Sequence, residues 1–261
     1  MKRLVDILAP LILVVAVIAI WQAACTVLDV PSYFLPKPTE VVAALIVRWP
    51  LLLQAAWNTF VMAILALVFA SAVATALALG STLSGLFERA VRPVASILQV
   101  TPVMALAPLI QVWSGLDHAL RAVVALAAVI AFFPIFSGVF TGLKSADPDL
   151  ERLFDLYDAS PTQRLFKLRL PSAIPFIIEG HRVGLGLSIV GAVVAEFVAG
   201  SGQTQGLAWR IVEAQHRLQI ADMIAALVAL VALALALNVL LSMFERYALR
   251  RWGKRPALGV G

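Results

Sequence analysis

Groups able to do covalent or metal chemistry are few and scattered along this chain. The three histidines, His118, His181 and His216, lie in different regions, and Cys25 is the only cysteine. One cysteine excludes an internal disulfide framework and any multi-cysteine metal site. No GxxxxGK[ST] phosphate loop occurs, so the backbone cradle with which such loops hold nucleotide is missing. No catalytic residue and no metal-ligand set is therefore predicted. Charge gathers instead in residues 147–171, DPDLERLFDLYDASPTQRLFKLRLP, between two long apolar runs.

The punctuation of this stretch predicts two short helices joined by a tight corner. Asp147 suits the N-cap and Pro148 the first helical position, where a missing N–H costs nothing. Asp149 and Glu151 fall in the first turn, where the helix dipole favours acids. The first helix should end near Tyr157. Asp158 tolerates left-handed backbone, and Ser160 with Gln163 reads as a capping box opening the second helix. Pro171 is expected to close the unit. A loop specified this well is expected to be a docking surface rather than a linker.

The elements around it are membrane spans. The chain of 261 residues is 62% hydrophobic and only 13% charged, against roughly 25% charged in soluble domains, and its mean hydropathy is +0.96. Apolar runs of about 20 residues predict an all-α protein with six spans, near 4–28, 57–80, 93–113, 119–142, 173–198 and 221–244, in one transmembrane domain covering 1–261. The first run is long enough to span, so it is expected to remain uncleaved although it begins like a signal peptide. The third contains Pro93, Pro102 and Pro108 and should be kinked, its freed carbonyls met by neighbouring helices or by a cavity.

Orientation follows from the loop cations. Lys2, Arg3, Arg89, Arg92, Lys144, Arg152, Arg164, Lys167, Arg169, Arg246, Arg250, Arg251, Lys254 and Arg255 fall on one side. Only Lys37, Arg48, Arg121, Arg210 and Arg217 fall on the other. The positive-inside rule then puts both termini and the loop 143–172 in the cytoplasm. The net charge of +5 is explained by topology and not by nucleic acid, since the basic residues form no amphipathic surface. Outside lie 31–50, a proline-rich piece followed by a short helix capped by Thr39, and 203–220, where Leu207, Ile211 and Ala214 share a helical face.

Two groups within the spans are candidates for the solute pathway or for helix packing. Gly180, Gly184, Ser188 and Ala192 recur every four residues, a small-residue face suited to close helix crossing, and Glu196 continues the spacing. Glu196 is either a functional intramembrane acid or a hydrated group near the interface. On the third span Gln99, Thr101, Met104 and Gln111 can offer contacts to a solute, or satisfy backbone freed by the prolines. Glu179, His181 and Arg182 sit near the cytoplasmic end of the fifth span, where snorkelling accounts for them.

Several stretches, in order, resemble a known family. Asp158-Ala159-Ser160, Gln163, Phe166 and Leu168-Arg169-Leu170-Pro171 are similar to the cytoplasmic loop of bacterial ABC importer permeases, patterned EAA-x3-G-x9-I-x-LP. Arg152-Leu153-Phe154 stands where that pattern has EAA, and Asp158 where it has glycine. Thr101-Pro102 through Ala107-Pro108-Leu109, Trp113-Ser114-Gly115, Phe132-Phe133-Pro134 and Gly142 to Pro148 resemble the nitrate/sulfonate/taurine-type branch, as do Leu35-Pro36-Lys37-Pro38 and Val194-Ala195-Glu196-Phe197.

The resemblance implies a type I importer permease of the bacterial inner membrane. It would work beside a second copy of itself, a cytoplasmic ABC ATPase dimer and an external substrate-binding protein docking near 31–50 and 203–220. ATP and magnesium would sit on the ATPase, leaving this subunit without a bound cofactor of its own. Leu153, Phe154, Tyr157, Asp158, Ala159, Ser160, Gln163, Phe166, Leu170 and Pro171 would form the coupling surface, with Leu165 adding an apolar contact. The cargo would be a small polar solute, a sulfonate- or nitrate-like anion or a vitamin-precursor pyrimidine. The stretches GAVVAEFVAG and GLAWRIVEAQHRLQIADM lean toward the last. An ion-gradient-driven secondary transporter is the alternative, but it predicts inverted repeats and paired intramembrane charges. No repeat is visible by eye. A non-transporting membrane scaffold using the same loop is a third reading.

Overall fold

The structure is a computed structural model describing residues 2–115, 117–199 and 202–251. The expectations resting on Lys254 and Arg255 lie outside the described residues. Every regular element among the described residues is helical. In chain order they are α1 (Lys2–Val27), α2 (Pro38–Val47), α3 (Trp49–Leu83), α4 (Gly85–Val100), α5 (Val103–Ser114) and α6 (Ala119–Leu143). There follow α7 (Pro148–Leu156), α8 (Pro161–Arg164), a π turn (Leu165–Arg169), α9 (Leu170–Ala199), α10 (Leu207–His216) and α11 (Ile220–Arg251). Among the described residues, four helical stretches are long and apolar enough to cross a membrane: Trp49–Leu83, Ala119–Leu143, Pro161–Val198 and Ile220–Met243. The pair α4 and α5 makes a fifth if it is counted as one broken span.

The chain divides into two compact units, 1–58 with 205–232 and 59–204 with 233–261. In the first, α1 meets the segment before α2. Cys25 is fully buried with its thiol toward the Leu35 carbonyl at 3.7 Å, and Gln22 Oε1 accepts from the Thr39 backbone N–H at 3.3 Å. Helix α2 is therefore not capped by Thr39. It starts two positions earlier, with Pro38 at the first helical position and Glu40 reaching back to the Lys37 N–H at 3.2 Å, because proline needs no N–H partner there. On α10, Leu207, Ala208 and Ala214 are buried and Ile211 half-buried, while Glu213 binds Arg210 at 2.7 Å and Arg217 at 2.8 Å. Arg48 pairs with Asp222 at 3.3 Å.

The second unit is built around α6 and α9, which cross antiparallel. A β-carbon on Gly138 would lie 2.7 Å from the Phe176 carbonyl, and one on Gly142 would lie 3.0 Å from the Ala173 carbonyl. Without side chains at these positions, the two backbones close to contact. The rest of α6 fills the interior with Phe132, Phe136 and Phe140, whose rings stack at 5.7 Å centroid spacing. Helix α3 contributes Ala63, Ala66, Ala70, Ala74 and Ala78, all buried along one face.

Proline decides two points here. The third run is not a continuous helix: the expected kink is a break at which α4 and α5 meet at 105°. Pro102 cannot donate, and it forces Thr101 into extended backbone (φ −68°, ψ 129°), so helix α4 ends there. Nor does Pro171 close the polar unit. The helix continues through it into α9, and the turn before it widens to a π turn in which the Leu170 N–H bonds the Leu165 carbonyl. The wider turn absorbs the bond and the space that the proline ring denies to the carbonyl four residues earlier.

Candidate functional site

The polar stretch folds as a capped hairpin between α6 and α9. Asp147 accepts from the Asp149 N–H at 2.8 Å and α7 ends at Leu156. Asp158 takes the left-handed corner at φ +48°. Ser160 and Gln163 form the reciprocal box, Ser160 N–H to Gln163 Oε1 at 2.9 Å and Gln163 N–H to Ser160 Oγ at 3.2 Å. These local contacts follow from the spacing of Asp147, Asp158, Ser160 and Gln163 alone.

A network that the spacing does not disclose ties the two arms together. Glu151 on α7 receives Arg164 at 3.3 Å and Arg169 at 2.6 Å, and Arg164 also binds Asp155. Glu151 and Arg164 are only 21% and 22% exposed. Partial burial makes such a linked set a better stiffener than isolated surface pairs. Arg164 and Arg169 read in the sequence merely as cytoplasmic cations. The signal that could have found their partner is the acidic residue one helical turn past the Asp147 cap.

The expected coupling residues fall in two places. Leu153, Tyr157 and Phe166 are exposed, and Leu156, not singled out from sequence, is 82% exposed. Leu153, Phe154, Tyr157, Ala159, Gln163 and Lys167 line a groove of about 320 Å³. Asp158 and Ser160 are exposed at the corner. Leu165 and Leu170 instead pack against the interior, and Pro171 is half-buried at the start of α9.

The pathway candidates also separate. Gln99 lines a partly open cleft of about 620 Å³ between α4, α5, α6 and α9, with Phe133, Ser137, Thr141, Phe176, Glu179 and Leu187. Thr101 is occupied at the broken corner, its hydroxyl and N–H both on the Ile97 carbonyl at 2.7 and 3.0 Å. Met104 is exposed and Gln111 half-buried; neither reaches the cleft. On α9, Gly180 and Gly184 face Pro134, Gly138 and Ile135 of α6, and Gly180 also lines the cleft. Ser188 is buried with its hydroxyl on the Leu185 carbonyl at 2.8 Å. Glu196 is 1% exposed and accepts from the Thr204 hydroxyl at 2.7 Å. Among the described residues, no group of His, Cys, Asp or Glu is placed to hold a metal ion.

A helical membrane protein with a stiff capped loop between two tightly crossed spans and a polar-lined cleft beside them has the form of a transport subunit. The chain belongs to the family of binding-protein-dependent transport system inner membrane components, whose model matches residues 72–254, and it is a multi-pass permease subunit of an ABC importer. It is 31% identical to a probable ABC transporter permease protein of Haemophilus influenzae, over 89% of this chain and 93% of that one. It is 32% identical to the formylaminopyrimidine transport permease protein ThiX of Halalkalibacterium halodurans, over 80% and 82%. It is 26% identical to the putative aliphatic sulfonates transport permease protein SsuC of Bacillus subtilis, over 92% and 86%. This membership sets aside the secondary-transporter alternative.

Proposed function

We propose that this subunit moves a small polar solute, a sulfonate- or nitrate-like anion or a vitamin-precursor pyrimidine, into the cytoplasm by alternating access, and that the hairpin 147–164 couples the movement to ATP. Two copies form the translocator, with six spans each: α1, α3, the α4–α5 pair, α6, α9 and α11. Both termini and the loop 143–172 lie in the cytoplasm. A loaded binding protein docks outside near 31–50 and 203–220. A cytoplasmic ATPase dimer holds ATP and magnesium, so this subunit hydrolyses nothing.

The observation that carries the coupling role is the Glu151, Arg164 and Arg169 network beneath the capped corner. A displacement applied at Tyr157 or Phe166 passes through a stiff arm directly into α9 rather than being lost in loop motion. The exposed apolar side chains Leu153, Leu156, Tyr157 and Phe166 supply the contact that a partner groove would bury. A cysteine at Leu156 tests this: Leu156→Cys should form a cross-link to the partner ATPase whose yield changes with ATP. Absence of any cross-link from positions 153, 156 and 166 would remove the docking role.

A further inference from the structure

The cleft between α4, α5, α6 and α9 has a charge character that deepens the transport reading and rests on it. Its volume of about 620 Å³ lies within the range of small-molecule sites, about 300–1,000 Å³. On α6 its lining runs from Val129 to Thr141 and on α9 from Leu187 to Phe176, a length of about 16–18 Å along each helix at the usual rise. It therefore extends from the broken α4–α5 corner to the end of α6 that leads into the coupling loop, as a transit route requires.

The lining offers neutral hydrogen-bonding groups at Gln99, Ser137 and Thr141 and aromatic rings at Phe133 and Phe176. Its one ionisable residue is Glu179, and no Lys, Arg or His lines it. Arg182, three residues beyond, is engaged by Ser242 Oγ at 3.3 Å and by Glu179 at 3.9 Å. An oxyanion entering this cleft would lose water and gain no cation, and an unpaired charge without its hydration is strongly disfavoured.

An uncharged planar heterocycle fits the same walls. The phenylalanine rings stack on its faces. The Gln99 amide both donates and accepts, and the Ser137 and Thr141 hydroxyls do either, which suits an edge carrying ring nitrogens and an exocyclic amine. We infer that this cleft is the solute's transit site and that it admits an uncharged planar nitrogen heterocycle while excluding oxyanions such as sulfonate or nitrate.

The test uses cells carrying the whole importer: permease, ATPase and binding protein. Labelled formylaminopyrimidine and methanesulfonate are supplied in parallel, with and without vanadate, and uptake is normalised to permease in the membrane. The wild type should carry the pyrimidine in a vanadate-sensitive manner and not the sulfonate. Ser137→Ala and Gln99→Ala should each lower pyrimidine uptake by about fivefold at equal permease in the membrane, as expected for one lost hydrogen bond. Vanadate-sensitive sulfonate uptake overturns the inference and leaves the importer reading standing. Full pyrimidine uptake by the Ser137→Ala, Gln99→Ala double variant removes the cleft from the route. ATP-coupled uptake of neither probe overturns this inference alone, whereas ATP-independent uptake overturns both it and the importer reading on which it rests.

Discussion

Gly138 of α6 and Gly180 of α9 meet backbone to backbone: a β-carbon on Gly138 would lie 2.8 Å from the Gly180 α-carbon. This contact fixes how closely the span before the loop 143–172 approaches the span after it.

Gly138→Ala and Gly180→Ala should therefore each destabilise the protein by about 1–3 kcal/mol through overpacking. The measurement is the unfolding midpoint of the detergent-solubilised protein. Gly186→Ala, with nothing within 4 Å of the added carbon, should not lower it and should raise it slightly, since alanine favours a helix interior. Equal midpoints for all three would show that the close crossing does not limit stability.

At the corner of the hairpin, Asp158 holds φ +48°. Asp158→Gly should preserve uptake, since glycine enters this region without strain. Asp158→Val should reduce uptake at unchanged membrane amounts, because a β-branched residue there is strained by about 1–2 kcal/mol. Ser160→Ala removes a cap contributing about 1 kcal/mol and should fall between the two. Uptake assays normalised by immunoblot read all three.

Glu151 holds two arginines, Arg164 and Arg169, from the far arm. Glu151→Gln should lower solute uptake per ATP hydrolysed while leaving the protein inserted and bound to its ATPase. Uptake and hydrolysis measured together in proteoliposomes give that ratio. An unchanged ratio would show that the network is not needed for coupling.

A reporter enzyme fused after Asp149 should report the cytoplasm, and one fused after Gln203 the external side. Reversal of the two signals would invert the topology.

The hairpin was legible because its determinants are local. A cap, a first-turn proline, a left-handed corner and a reciprocal Ser160–Gln163 box each act within four residues. The helical class was legible from hydropathy, since few charged residues interrupt the runs. What was not legible is pairwise. Gly180 and Gly184 stand out as a stripe, but their counterparts Gly138 and Ile135 carry no matching signal in a single sequence. The break at Thr101 and the widened turn before Pro171 both follow from proline. Sequence alone does not say whether the freed backbone is met by a bend, as at Thr101, or by an expanded turn, as at Leu165 to Leu170. Glu196 left two readings open, an intramembrane acid or a hydrated group near the interface, because Thr204, a hydrogen-bond partner, lies beyond the end of the helix.

The central claim is that the chain imports its solute on ATP. The most direct measurement is solute uptake into proteoliposomes containing the permease, the ATPase and the loaded binding protein, with vanadate and an ionophore applied separately. Uptake should stop with vanadate and continue when ion gradients are dissipated. Uptake that ignores vanadate and collapses with the ionophore would contradict the account.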